Sequence, residues 1–139
     1  MNPASESVAD LCREHGVLAL YLFGSRAGDG LKRLAGEEVA GEGSDLDVGA
    51  VFIHPSIDHG RFGSLQVALE DLFAPLRVDL VPLQRVDPLF QFAAVDGHRI
   101  AATDTTRADL FELRVMRNAA EALPLQRRLE RDLFGVTSR

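Results

Sequence analysis

The chain has no tryptophan, one cysteine and one tyrosine in 139 residues, and each scarcity narrows what it can be. Cys12 has no second cysteine to pair with, so no internal disulfide staples the fold and the expected setting is reducing and cytoplasmic. No run of eighteen apolar residues occurs, and the N-terminal MNPASESVADLCREHG lacks a basic segment followed by an apolar one. The expectation is a soluble protein, neither spanning a membrane nor exported. Positive charge is short as well: 15 Lys and Arg face 21 Asp and Glu, for a net charge of −6. That balance argues against general nucleic-acid binding by phosphate neutralisation. His15, His54, His59 and His98 show no metal-ligand spacing. Tyr21 lies inside an apolar run, a poor position for self-modification.

What remains is ample for one compact core, since 46% of the residues are hydrophobic. Residues 4–15 carry Val8, Leu11 and Cys12 at helical spacing, and Gly16 is a helix stop. Val17 to Phe23 (VLALYLF) is short and continuously apolar, as in a strand buried on both faces. Ser25 to Leu34 reads as a short helix weakened by Gly28 and Gly30, and GEEVAGEGS from Gly36 to Ser44 as a mobile loop. Asp45 to Ile53 predicts a strand and Gly60 to Ala74 an amphipathic helix through Phe62, Leu65, Leu69, Leu72 and Phe73. Arg77 to Leu83 predicts a third strand, Asp87-Pro88 a capped helix to about Asp96, and His98 to Ala102 a short edge strand. A long helix from Asp104 to about Leu123 follows, with Pro124 beginning a final one to Phe134. This order predicts an α/β domain with a small mixed or parallel sheet flanked by helices. The division is a main domain over 1–103 and a helical extension over 104–139 packed on it.

Charge is distributed unevenly. Between Leu34 and Gly60 stand Glu37, Glu38, Glu42, Asp45, Asp47 and Asp58 with no Lys or Arg, whereas arginines dominate after Arg107. Arg114, Arg117, Arg127, Arg128 and Arg131 form either a partner-binding face or a solvated helix. Asp45 and Asp47 are two apart at a strand opening and so share a face. Asp79 opens the next strand, and three converging carboxylates repel unless cations lie between them. The outline is a divalent-metal site. Gly24-Ser25, at a strand-to-helix junction, adds a close-approach backbone and a hydroxyl where phosphate is attracted. Arg26 reaches either phosphate or a surface ion pair, and Lys32 and Arg33 are triphosphate contacts or solvated charges.

The ordered set LFGSRA, SDLDV and VDLVPL, followed by an apolar helix and a Gly-His-Arg turn, resembles the nucleotidyltransferase fold of the polymerase-beta type. In so short a chain the likeness is to minimal nucleotidyltransferases, most of all MntA-type antitoxins that pair with HEPN-domain toxins. It covers about Val8 to Ala102. The resemblance implies nucleotide binding by Gly24, Ser25, Arg26 and Ser44, and two magnesium ions held by the catalytic carboxylates Asp45, Asp47 and Asp79. It further implies ATP as substrate, with AMP moved to a tyrosine of a HEPN-type ribonuclease toxin in a hetero-oligomer. Nineteen residues separate Ser25 from Asp45, more than the compact family spacing. The excess, in the Gly36–Ser44 loop, is a lid, a partner contact or an inert insertion. Two other readings stand beside this one: nucleotidyl transfer to a small molecule such as an aminoglycoside, and a non-catalytic antitoxin that covers its toxin.

Overall fold

The computed structural model describes residues 3–134, in which helices and strands alternate. Helix α1 (Pro3–His15) leads into β1 (Val17–Phe23), α2 (Ala27–Leu34), β2 (Leu46–Phe52), α3 (His59–Phe73) and β3 (Val78–Pro82). A single 3-10 turn over Leu83–Arg85 precedes α4 (Pro88–Val95), β4 (His98–Ala102) and α5 (Thr105–Phe134). The strands form one sheet in the order β3-β2-β1-β4. β1 runs antiparallel to both β2 and β4, while β2 and β3, joined through α3, are parallel. The sheet is therefore mixed, and the short, weakly polar β4 is the edge the sequence predicts.

Every residue of β1 is buried, as its unbroken apolar run requires. Alternation sends Leu20 and Leu22, with Leu46, Val48 and Ala50, to the face covered by Val8, Leu65, Leu69 and Phe73 of α1 and α3. Ala19, Tyr21 and Phe23 meet Leu83, Ala94 and Ala108 on the other face. At about 25 cal/mol per Å² of apolar area, a core on both faces of one strand dominates the stability of a domain this size. Asp58 caps α3 by accepting from the Gly60 N–H, and Asp87 caps α4 by accepting from Phe90, each where the sequence places an N-terminus. Gly30 is buried, and a Cβ there would lie 2.8 Å from Leu22, so this glycine lets α2 approach the sheet.

One expectation is corrected. Pro124 does not begin a new helix: α5 continues through it. The ring removes one N–H, yet Ala120, whose carbonyl loses that donor, is exposed, so water can take its place. The Gly36–Ser44 loop has no regular secondary structure, with Val39 packed against the core and Gly41 so close to Pro75 that a Cβ would meet it at 2.9 Å. Of the helical extension, residues 135–139 lie outside the described residues.

One polar network pins α5 to the sheet. The Tyr21 hydroxyl donates to Glu112 Oε2 at 2.6 Å, and Arg99 Nη1 donates to Glu112 Oε2 at 2.8 Å and Asp109 Oδ1 at 2.7 Å. Burial, then the Glu112 carboxylate, pushes the Tyr21 phenol well above its ordinary pKa. Cys12 is likewise buried, which raises its thiol to about 12 and leaves it unreactive. Among the described residues no helix is long and apolar enough to cross a membrane.

Candidate active site

Strand directions gather the motifs at one end of the sheet. β1 ends there and β2 and β3 begin there, so Phe23 pairs with Asp47, and Asp47 with Asp79. Neighbouring strands lie about 4.8 Å apart, which makes the two aspartates side-by-side partners. Leu46 and Val48 enter the core on the α1–α3 side, as do Val78 and Leu80. Asp47 and Asp79 therefore turn to the opposite face, the one that carries Phe23. Asp45 stands just before β2, exposed like Asp79, whereas Asp47 is half-buried. Partial burial, followed by the Asp79 and Asp45 charges, raises the Asp47 carboxyl above its usual pKa.

Gly24 closes the site from the β1 side. Its φ is +77°, and a Cβ would lie 2.2 Å from Asp47 Oδ2. Only glycine meets both constraints. Ser25 follows, with its Oγ 3.1 Å from the Ser44 Oγ, so the two motifs touch through their hydroxyls. α2 starts two residues later, and its N-terminal backbone points partial positive charge at the turn. The Arg26 side chain is only 11% exposed and faces protein: Nε donates to Asp29 Oδ2, Nη1 to the carbonyls of Glu42 and Ser44, and Nη2 to that of Ala40. Arg33 donates to the Glu37 carbonyl, at the start of the same loop.

The carboxylates are hard oxygen donors without a protein cation beside them: among the described residues no basic side chain pairs with Asp45, Asp47 or Asp79. Nor do three His, Cys, Asp or Glu side chains converge closely enough to hold a metal alone, again among the described residues. Such a donor set fits magnesium, which takes one or two carboxylates plus substrate phosphates rather than an all-protein cage. The Asp79 and Asp45 charges, acting after burial, hold the Asp47 carboxyl above its usual pKa, and a bound cation would oppose that shift.

Two neighbours of the site escape sequence reasoning. Asp29 grips Arg26, and its i,i+3 spacing from that residue was the available signal. Phe90 of α4 stands edge-on to Phe23, ring centroids 5.8 Å apart, and remains 39% exposed. Nothing in its apolar helix marks it from sequence. The histidines take no part, and His15 instead links α1 to α3: its Nδ1 donates to the Leu11 carbonyl and its Nε2 hydrogen-bonds the Ser64 hydroxyl.

A family profile described as Polymerase beta, Nucleotidyltransferase matches residues 6–106. The chain belongs to this family. That span takes in every residue of the site just described, from Gly24 to Asp79. No curated protein matches the nucleotidyltransferase chain. Among solved structures, a mutant MntA–HpeT toxin–antitoxin complex aligns with TM-score 0.67 and 17% identity, over 93% of this chain and 97% of that one. A complex of tri-AMPylated Shewanella oneidensis HEPN toxin with MNT antitoxin aligns with TM-score 0.64 and 17% identity, over 94% and 95%. A toxin–antitoxin complex with AMP-PNP gives TM-score 0.65 and 17% identity, over 93% and 97%. At that identity the likeness establishes a shared fold, one that extends over the C-terminal helix as well.

Proposed function

We propose that this nucleotidyltransferase moves AMP from ATP to a hydroxyl, that of a tyrosine on a HEPN-type toxin, and thereby serves as its antitoxin. The observation that carries the reading is the register pairing of Asp47 with Asp79 beside the Phe23–Gly24 turn. It sets the acids against the Gly24-Ser25 backbone and the start of α2. The fold neighbours, one a tri-AMPylated toxin with its antitoxin and one an AMP-PNP complex, support the acceptor and the nucleotide.

In this reading the Gly24-Ser25 backbone and the α2 N-terminus bind the phosphates, with the Ser25 and Ser44 hydroxyls beside them. Asp45, Asp47 and Asp79 are the residues that would hold the two magnesium ions. Bound there, the ions would offset charge on the attacking and leaving oxygens. Asp79, exposed at the strand opening, orients the acceptor hydroxyl and takes its proton. The hydroxyl oxygen bonds to the α-phosphorus, the bond from that phosphorus to the bridging oxygen breaks, and pyrophosphate leaves with the electron pair. The proton passes from Asp79 to water. Tyr21 is not the acceptor, because it is buried and donates its hydroxyl proton to Glu112.

Catalytic amounts of the chain, incubated with ATP, magnesium and a HEPN-type partner, are expected to shift the partner's mass by whole AMP units. The partner should stay inactive after the chain is removed. Neutralisation that needs one chain per partner, leaves the mass unchanged and survives excess EDTA in an Asp45→Asn/Asp47→Asn double variant would replace catalysis by a covering antitoxin.

A further inference from the structure

The C-terminal half of the insertion between Ser25 and Asp45, from Ala40 to Ser44, is gripped at three backbone carbonyls by one side chain. A guanidinium has five N–H donors, and four of those on Arg26 are taken, by Asp29 and by the carbonyls of Ala40, Glu42 and Ser44. One N–H is left. Arg26 therefore has no free fork for a phosphate unless it releases the loop. The loop side is fitted to it: Gly43 has φ +113°, and a Cβ there would stand 3.0 Å from Arg26 Nη1. Asp29 balances the charge from within α2, so the clip is neutral overall and only 11% of the arginine side chain is exposed.

From this geometry we propose that Arg26 is a positioning residue, a clip that fixes residues 40–44 so that Ser44 and Asp45 enter β2 beside the Gly24-Ser25 turn. The Nη1 bond to the Ser44 carbonyl holds the backbone one residue before Asp45. The Ser25–Ser44 hydroxyl contact lies on the same seam. The role of Ser44 and Asp45 in catalysis rests on the adenylyl-transfer reading above, while the clip itself does not. Arg26 here acts through the loop, not by touching substrate.

The test pairs Arg26→Lys, which keeps the charge but cannot span three carbonyls, with Gly43→Ala, which crowds the clip from the loop side. Hydrogen–deuterium exchange of residues 37–45, without nucleotide, is expected to accelerate about tenfold or more in each. Turnover of ATP with magnesium and partner should fall by about the same factor. The double variant should be no worse than either single one, because both open the same clip. Unchanged loop exchange in Arg26→Lys, with a raised KM for ATP, would overturn the clip and make Arg26 a phosphate ligand. Faster exchange with unchanged turnover would overturn the positioning role. If Arg26→Lys fails to fold by circular dichroism, Gly43→Ala carries both readouts. Should the wild-type chain transfer nothing to any partner, the adenylyl-transfer reading falls, and the exchange measurement still decides the clip.

Discussion

Two acidic clusters lie on this sheet, and they are handled in opposite ways. Glu112 and Asp109 sit against Arg99 and the Tyr21 hydroxyl, so each buried or half-buried group in that cluster has a partner of the right sign. Among the described residues no basic side chain pairs with Asp45, Asp47 or Asp79, and burial, then the Asp79 and Asp45 charges, pushes the most enclosed of them, Asp47, toward its protonated form. Acids that build structure here come with their cation in the chain; in the proposed reading the other three are left for a bound cation. The first arrangement stabilises the apo protein. The second destabilises it and, in the proposed reading, would gain from a bound cation.

The comparison breaks most sharply under single substitutions. Asp47→Asn should reduce pyrophosphate release from ATP and magnesium by about a thousandfold, with the melting temperature equal to wild type or higher. Glu112→Ala should do the reverse. It strands the Tyr21 hydroxyl and half of the Arg99 pairing, at about 2 kcal/mol by urea denaturation, with transfer per folded molecule unchanged. Stability lost in the first variant and activity lost in the second would exchange the roles of the two clusters.

Smaller effects sharpen it. Gly24→Val forces a side chain into the Asp47 carboxylate and onto a positive φ, so nucleotide affinity by calorimetry should weaken about tenfold. Unchanged affinity would remove Gly24 from the site. The smallest effect is on pH. Folding raises the Asp47 pKa, so between the ordinary carboxylate value and the raised one the folded chain holds more protons than the unfolded. Its contribution to stability is then favourable in acid and is lost as pH rises through that window. In urea titrations across the carboxylate range, wild type should lose stability relative to Asp47→Asn on going toward neutral pH. A relative gain would mean that a positive group already faces Asp47.

Most of the frame could be read from residues alone, because local patterns caused it. VLALYLF has to be a central strand, and the Leu46–Val48 and Val78–Leu80 pairs fix on which face Asp47 and Asp79 emerge. The clip on the loop could not be read, since its acceptors are backbone carbonyls that any residue supplies. The Tyr21–Glu112 bond joins positions 91 apart and leaves no periodic trace. Pro124 misled for a related reason: local sequence carries the missing N–H but not the solvent that replaces it.

The pairing of Leu46 with Val78, one residue before the aspartates, also decides where this chain can change length. A residue added between Leu46 and Asp47 would move Asp47 to the opposite face of the sheet, because side chains alternate. A residue added between Glu37 and Val39, ahead of the first carbonyl that Arg26 holds, shifts neither strand. An affinity tag or a new partner contact can therefore be grafted into that stretch, while Ala40 to Ser44, whose carbonyls Arg26 holds, and the step from Leu46 to Asp47 stay fixed in length.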